Sequence, residues 1–329
     1  MSEKMFSRRG FISGTVLGTA SLAFGGIKGT TIRRLPRYEY DPAKSGANTP
    51  VLPYFDGGWT VYMLANRSDS MMLSTLFRSP SGRLVMIDGG SVHDADFLCG
   101  LLKQFGGRVD TWFVTHAHSD HFGALWQILE KPDAGGVQIG RIVQDLLPLD
   151  FIEKYEKGTE VLAKKYLDAV VRTRQKTEKP EVGQRFDFGE GLVFECLNGY
   201  DLNQTHNPVN DSSICYRVEN GGKRLLVTGD IGPIGSTRLL RILPREKLAC
   251  DVLFLSHHGQ NGATKEFYAA TGAEICVWPA TDWIWDDDFG GKGIGCGILE
   301  TNVTKVWMRE LKITRQFLLC RGDVALGPK

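Results

Sequence analysis

The chain has 329 residues, of which 42% are hydrophobic and 23% charged, with 39 lysines and arginines against 38 acidic residues. This composition excludes an intrinsically disordered chain, a collagen-like repeat and a small disulfide scaffold. The length is sufficient for one large hydrophobic core or two modest ones. Because the net charge is only +1, the protein has no overall field that would attract nucleic acid or anionic lipid, and any anion binding must be local.

The N-terminal 27 residues differ from the rest of the chain. Residues 7–12 read SRRGFI, with Arg8 and Arg9, and an uncharged, glycine-rich run follows to Ile27. This pattern resembles a twin-arginine export signal, and the run is short and weakly apolar for a bilayer span, which needs about 20 apolar residues. We therefore predict export to the bacterial periplasm by the twin-arginine translocation machinery, without stable membrane insertion. Whether the signal is cleaved or retained as an anchor stays open.

The predicted organisation has three parts. They are a signal peptide over 1–27, a linker over 28–53 and a single domain over 54–329. The seven cysteines of the chain show no CxxC spacing, which argues against a zinc knuckle. We expect most of them to be small buried hydrophobic residues, although an oxidising compartment would permit a disulfide.

Two stretches of the domain repeat one another at a constant offset. RLVMI at 83–87 matches RLLVT at 224–228, and DTWFVTH at 110–116 matches DVLFLSH at 251–257. Each short apolar run predicts a buried strand, and the sequence between the runs carries helical apolar stripes. Two such halves with helices outside would pack sheet on sheet. The predicted fold class is therefore α/β, a four-layer αββα sandwich built from two similar halves.

A cluster of ionisable side chains follows the second strand of the first half. His116, His118, Asp120 and His121 give the spacing HxHxDH. No packing requirement explains four such side chains within six residues, whereas histidine and aspartate together suit borderline divalent metals. Alternate positions 116 and 118 can face one ion while 120 and 121 turn towards another. The cluster therefore predicts a metal centre where the strand ends of the two halves meet.

The order of motifs resembles that of the metallo-β-lactamase fold, whose HxHxDH motif opens a two-metal site. It is more closely similar to the hydrolase domain of competence-type DNA-uptake channels, over a stretch from about Trp59 to Leu326. Besides the histidine cluster, the motifs that carry the resemblance are RLVMIDGG at 83–90, NDSS at 210–213, LLVTGD at 225–230, SHHG at 256–259 and GDVAL at 322–326.

The resemblance implies two divalent ions, held by His116, His118, Asp120, His121, Asp230 and one histidine of the second half. His116 and His118 would bind the first ion, and Asp230 would bridge the two. For the second-half histidine we predict His257, because it occupies the position equivalent to His116 in the repeat. His258 is then predicted to contact substrate, or to support the ligands from behind. Asp88 is interpreted as a support for the histidine loop, by accepting backbone or imidazole N–H bonds, rather than as a ligand.

The sequence departs from the lactamases before the bridging aspartate. Where those enzymes place another histidine, this chain has Asn210-Asp211-Ser212-Ser213, and the competence-type group also uses Asn and Ser there. Asn210 and Ser213 are predicted to bind substrate, and whether His206 or Asp211 joins the first metal site stays open. A first ion with few histidines has room for water or a substrate oxygen. Zinc is the expected metal, with manganese as the alternative.

Two ions of this kind would provide a metal-bound hydroxide near neutral pH, with Asp120 as its orienting base. The predicted function is an exported, binuclear metal-dependent hydrolase of phosphodiester bonds, acting on a small molecule or a short oligonucleotide. A lactone or β-lactam hydrolase is the alternative, followed by a non-catalytic metal-binding envelope protein. Basic residues between 150 and 179 suggest polyanion steering, but acidic residues interleave with them and favour a solvated helix face. The Asp286-Asp287-Asp288 run, preceded by three tryptophans, would repel a long polynucleotide. The oligomeric state stays open.

Overall fold

The protein is described here from a computed structural model that covers residues 41–68 and 70–329. The predicted signal peptide and the first part of the predicted linker lie outside these residues. The described residues form two β-sheets with helices on their outer faces.

The first sheet contains nine strands. Their bounds are β1 Val51–Phe55, β2 Thr60–Met63, β3 Thr75–Arg78, β4 Leu84–Ile87, β5 Arg108–Phe113, β6 Gln138–Ile139, β7 Ile142–Val143, β8 Thr177–Glu178 and β16 Val324–Pro328. The strand order is β1-β16-β2-β3-β4-β5-β7-β8, and β6 pairs with β5. Strands β16, β2, β3 and β4 pair antiparallel, whereas β4, β5, β7 and β8 run parallel.

The second sheet contains seven strands. Their bounds are β9 Arg185–Gly189, β10 Leu192–Cys196, β11 Tyr216–Asn220, β12 Lys223–Val227, β13 Val252–Phe254, β14 Ile275–Trp278 and β15 Arg315–Leu318. The order is β15-β14-β13-β12-β11-β10-β9. Strands β9 to β12 pair antiparallel, and β12 to β15 run parallel.

Helices cover the outer face of each sheet. Their bounds are α1 Ala95–Gln104, α2 Ser119–Glu130, α3 Leu149–Tyr155, α4 Thr159–Arg172, α5 Pro208–Asp211, α6 Pro233–Ile242, α7 Arg245–Leu248, α8 Lys265–Thr271, α9 Asp282–Trp285 and α10 Thr301–Glu310. Side chains of α1, α2 and α4 pack on the first sheet, and side chains of α6, α7, α8 and α10 pack on the second. The predicted four-layer αββα sandwich is confirmed.

The largest core lies between the two sheets. Both sheets contribute inward-facing side chains to it, and the rings of Phe113 and Phe194 stack across it with centroids 4.8 Å apart. Strands β4 and β13 are buried at every position, since helices cover the face that the other sheet does not. This double burial explains why the strands read as continuous apolar runs rather than as an alternating pattern.

The internal repeat corresponds to one supersecondary unit in each sheet. In the first half β4 and β5 run parallel and α1 connects them, and in the second half β12 and β13 run parallel with α6 and α7 between them. Parallel strands direct their carboxyl ends to the same sheet edge, which is where open α/β sheets carry ligands. The residues that follow β12 and β13 therefore lie together, and the residues that follow β5 of the other sheet lie beside them.

The predicted linker over 28–53 extends too far. Short 3₁₀ turns occupy residues 42–44 and 46–48, and β1 begins at Val51 and pairs in parallel with β16 at the C-terminal end of the chain. Val51, Leu52 and Pro53 are exposed at the sheet edge, and a proline inside an apolar run argues against a strand when only the sequence is known.

Within the described residues, no helix has the length and apolar character needed to cross a membrane.

All seven cysteines are free thiols, and six of them are buried, while Cys296 is exposed. The expectation that most cysteines are small buried hydrophobic residues is confirmed.

Candidate metal centre

The histidine cluster lies at the junction of β5 and α2. The backbone after Phe113 crosses the sheet edge with His116 and His118, and Asp120 and His121 lie in the first turn of α2. A carboxylate is favourable in this turn because the helix dipole is positive there. Further along α2, a Cβ at Gly123 would lie 2.6 Å from the backbone nitrogen of Val92, so only glycine allows this close approach.

Asp88 supports the cluster from the end of β4. Its Oδ1 accepts a hydrogen bond from the backbone N–H of Thr115, and its Oδ2 accepts from the Thr115 hydroxyl and from Nδ1 of His121, each at 2.8 Å. Its φ of 53° is a left-handed conformation that Asp tolerates better than most residues. The predicted supporting role of Asp88 is confirmed, and Nε2 of His121 is left facing the centre.

The first group of candidate ligands contains His116, His118 and Asp230, whose donor atoms lie within 4.8 Å of one another. Nε2 of His116 lies 3.1 Å from Nδ1 of His118 and 3.9 Å from Oδ2 of Asp230. The other ring nitrogen of His118, Nε2, contacts Oε1 of Glu156 at 2.6 Å. Glu156 was not predicted as part of the site, because in the sequence it is one of several acidic residues interleaved with lysines.

The second group contains Asp120, His121, Asp230 and His258, all buried. Oδ2 of Asp230 lies 3.2 Å from Nε2 of His121 and 3.5 Å from Nε2 of His258, and Oδ2 of Asp120 lies 3.1 Å from Nε2 of His258. Asp230 is the residue that belongs to both groups, as a bridging ligand must.

The structure corrects the choice between the two second-half histidines. His257 and His258 both have left-handed backbone conformations, with φ of 51° and 56°. This turn directs His258 into the second group and anchors its Nδ1 on the Pro279 carbonyl at 2.8 Å. His257 instead lies at the mouth of the site, where its Nε2 is 3.0 Å from the side-chain nitrogen of Gln260. The repeat suggested His257 because the alignment assumes an extended backbone, which two consecutive left-handed residues do not have.

The segment that replaces the third histidine lies beside the first group. Asn210 is buried, with Nδ2 3.0 Å from Oδ1 of Asn207 and 3.5 Å from Nε2 of His257. The predicted substrate contact at Ser213 is not supported by its position. Ser213 has no exposed surface, and its hydroxyl accepts the backbone N–H of Asp230 at 3.0 Å, which positions the bridging residue.

The two residues left open as first-site ligands lie outside the groups. Oδ1 of Asp211 accepts the backbone N–H groups of Gly232 and Gly235 at the start of α6, at 2.7 and 3.0 Å. His206 is exposed on the preceding loop. Neither belongs to a group of candidate ligands in the described part of the chain.

The tryptophan and aspartate segment after β14 has a mainly structural role. Asp287 is buried, and its carboxylate accepts the Leu299 backbone N–H at 3.0 Å and the Asn302 side-chain amide at 3.2 Å. The ring of Trp285 packs edge-on against buried Trp278 at 5.0 Å. Trp285 therefore anchors the loop on the core, and Asp287 holds the loop together rather than presenting its charge to a ligand.

Burial and mutual charge set the protonation of the centre. Burial lowers the pKa of His116 well below its ordinary value, and the neighbouring His121 adds to this effect. Burial opposes protonation of His121 and His258 too, but Asp230 and the other carboxylates outweigh it, raising the pKa of His121 well above normal and that of His258 to about 10. Burial would raise the pKa of Asp230, but His121 and His258 hold it well below its usual range. Two imidazolium charges therefore offset the buried carboxylates when no ion is present.

The donor set fits divalent metal ions. Three buried atoms at the centre have no hydrogen-bond partner, namely Nε2 of His121, Oδ1 of Asp230 and Oδ1 of Asn210. Buried polar atoms without a partner are costly unless a ligand satisfies them. Imidazole nitrogens and carboxylate oxygens are ligands of zinc and related ions. A cation would also replace the protons that His121 and His258 carry.

The chain is similar to several known proteins. The chain is 28% identical over 161 residues to ComE operon protein 3 of Bacillus subtilis (strain 168), a match that covers 48% of this chain and 18% of that protein. Among solved structures, zinc-bound PqqB from Methylobacterium extorquens has a TM-score of 0.48 at 11% identity, covering 81% of this chain and 99% of that one. The Rm3 metallo-β-lactamase has a TM-score of 0.40 at 13% identity, with coverages of 83% and 96%.

The family model of the metallo-β-lactamase superfamily matches residues 70–277. These residues include both halves of the sandwich from β3 to β14 and all candidate ligands in the two groups. The chain belongs to the metallo-β-lactamase superfamily of metal-dependent hydrolases.

Proposed function

We propose that this protein is a binuclear metal-dependent phosphodiesterase. The observation that carries the proposal is the sharing of Asp230 between two groups of candidate ligands, which lie where the edges of the two sheets meet. His116, His118 and Asp230 would hold one ion, and Asp120, His121, Asp230 and His258 would hold the other. Two divalent ions, when bound, activate a water near neutral pH and offset the charge of a phosphate group.

The first ion would have fewer histidine ligands than the second. Asn210 stands where the lactamases place a third histidine, and its Oδ1 is buried and free of hydrogen-bond donors. An amide oxygen is a weaker ligand than an imidazole, so this side of the centre keeps coordination room for a substrate oxygen. This favours a phosphodiester, which offers two non-bridging oxygens, over a lactam, which offers one carbonyl oxygen.

Two further residue roles follow from the positions of the side chains. Asp120 lies in the second group with its Oδ2 near His258, where it can orient the attacking water and accept its proton. The Nδ2 group of Asn210 is beside His257 at the mouth of the site, where it can donate a hydrogen bond to charge that grows on the phosphate.

The biological setting forms part of the proposal. The segment SRRGFI at 7–12 supports export by the twin-arginine machinery to the periplasm. Because that machinery carries folded proteins, ions bound in the cytosol would remain in place during export. The proposed substrate is a small phosphodiester or a short oligonucleotide, and zinc is the proposed metal, with manganese as the alternative.

The test compares substrate classes on one preparation of protein. Protein loaded with Zn²⁺ or Mn²⁺ is assayed with bis-p-nitrophenyl phosphate, a dinucleotide, a chromogenic cephalosporin and a lactone. We expect phosphodiester hydrolysis, and Asp120→Asn is expected to reduce kcat by about 10²- to 10⁴-fold with KM nearly unchanged. Asp168→Asn, which removes an exposed carboxylate of α4, is the matched control. Ready cleavage of the lactone or cephalosporin without phosphodiesterase activity would overturn the proposal.

A further inference from the structure

Glu156 joins three segments that surround the first group of candidate ligands. It ends α3, and its Oε1 lies 2.6 Å from Nε2 of His118. Its Oε2 accepts the backbone N–H of Val209, the residue before Asn210, at 3.2 Å. The carboxylate is thus shared between the histidine loop, the turn between α3 and α4, and the short helix α5. Its side chain is 21% exposed, so most of its surface is within these contacts.

The contact with Glu156 decides which nitrogen of His118 faces the centre. A carboxylate accepts hydrogen bonds, so Nε2 of His118 carries the proton and Nδ1 keeps its lone pair. That Nδ1 atom lies 3.1 Å from Nε2 of His116, on the side of Asp230. We infer that Glu156 is a positioning residue of the metal centre, which fixes the ring orientation and tautomer of His118 for binding the first ion. This inference rests on the proposed function.

Glu156 also explains how the first group can work without a third histidine. A carboxylate behind a ligating imidazole increases the basicity of the nitrogen that binds the metal. The first group has two imidazoles and one carboxylate that it shares with the second group. A more basic ligating nitrogen on His118 compensates in part for the missing third imidazole. By holding Val209, the same carboxylate fixes the backbone of Asn210 beside the group.

A purely structural clamp is the competing explanation. A clamp would stabilise the turn between α3 and α4 equally with and without metal, and its loss would affect both ions together. A positioning residue instead acts mainly on the first ion, because His118 belongs only to that group. The two explanations therefore predict different effects on the affinity of each ion, whereas both predict a change in activity.

The experiment measures zinc binding by competition with a chromophoric chelator in wild type, Glu156→Gln, Glu156→Ala and the control Glu153→Gln, which changes an exposed carboxylate of the same helix. We expect two ions in wild type and control. Glu156→Ala should weaken one ion by about 10- to 100-fold and leave the other unchanged. Glu156→Gln should lose less zinc affinity than Glu156→Ala, because its amide oxygen still accepts the Nε2 proton of His118.

Two accompanying measurements separate the explanations. In the zinc-loaded protein, ring ¹⁵N shifts should show His118 bound through Nδ1 with a proton on Nε2, and this signature should weaken in Glu156→Ala. The melting temperature of metal-free Glu156→Gln should fall only modestly, because the amide nitrogen that replaces Oε2 cannot accept the Val209 N–H. Equal weakening of both ions, or unchanged affinity in Glu156→Ala, would overturn the inference while leaving the proposed function intact. A wild-type protein that binds no divalent ion would refute both.

Discussion

Substitutions of Asp88 test separately how this carboxylate contributes to protein stability and to zinc binding. The carboxylate accepts three hydrogen bonds of 2.8 Å, two from Thr115 and one from Nδ1 of His121, and it has no exposed surface. Asp88→Ala leaves three buried donors unpaired, at about 1–3 kcal/mol each, for a loss of about 3–6 kcal/mol after partial relaxation. The left-handed backbone at this position, with φ of 53°, adds about 1–2 kcal/mol for alanine. This total approaches the stability of about 5–15 kcal/mol that a whole domain has.

Asp88→Asn has a different consequence, because Asn accepts the left-handed backbone and keeps one acceptor oxygen. If that oxygen accepts the Thr115 N–H, the amide group faces Nδ1 of His121 as a donor. His121 must then accept through Nδ1 and carry its proton on Nε2, the atom that faces the second group. We expect a modest loss of stability, and the affinity for one of the two zinc ions should fall by about 10- to 100-fold.

The assay combines urea unfolding of the metal-free protein with zinc competition. Asp94→Asn is the control, because Asp94 is equally buried and accepts hydrogen bonds from Ser91 and Arg67 outside the metal centre. The control should lose stability without losing zinc affinity. Wild-type zinc affinity in Asp88→Asn would refute the argument from the tautomer of His121.

Three further predictions concern metal, pH and export. Asp230→Ala should lose both ions by elemental analysis, whereas His206→Ala should keep them, and chelation should lower the melting temperature because metal binds the folded state. The pKa of His258 rises from 6.5 to about 10 on folding, so protonation of His258 stabilises the metal-free protein fully below about pH 6.5, and this contribution is lost as the pH rises towards 10. Urea unfolding at both ends of this range should show the loss of stability, and a free energy of unfolding that does not change with pH would contradict it. Arg8→Lys with Arg9→Lys should trap the precursor in the cytosol, and cell fractionation with equal periplasmic amounts of both proteins would contradict export by this route.

The sequence predicts the sandwich well because its strongest signals are local. Residues 84–87 and 225–227 are buried on both faces, so they are apolar at every position and can be identified without a structure. The histidine cluster is local as well, since four ionisable side chains occupy six residues. Strand β1 escapes prediction because its partner lies at the other end of the chain and Pro53 interrupts its apolar run.

The errors at the centre have a conformational origin. His257 and His258 are adjacent and chemically identical, and only the sign of φ at both positions decides which ring enters the site. Glu156 lies 38 residues after His118, and nothing in its neighbourhood distinguishes it from the other acids of that segment. Both facts depend on the three-dimensional path of the chain rather than on residue type or spacing.

The acceptors behind the histidines provide a physical basis for the ligand set. One ring nitrogen of each candidate histidine ligand is anchored on an oxygen, and the pairs are His116 with Thr115, His118 with Glu156, His121 with Asp88, and His258 with Pro279. In each case the opposite nitrogen faces the centre. His257 is anchored too, on the Asn261 carbonyl, but its inner nitrogen already faces the side-chain amide of Gln260. The inner nitrogen of His257 therefore already faces a donor, while the inner nitrogens of the other four histidines are directed at the space where the carboxylates converge.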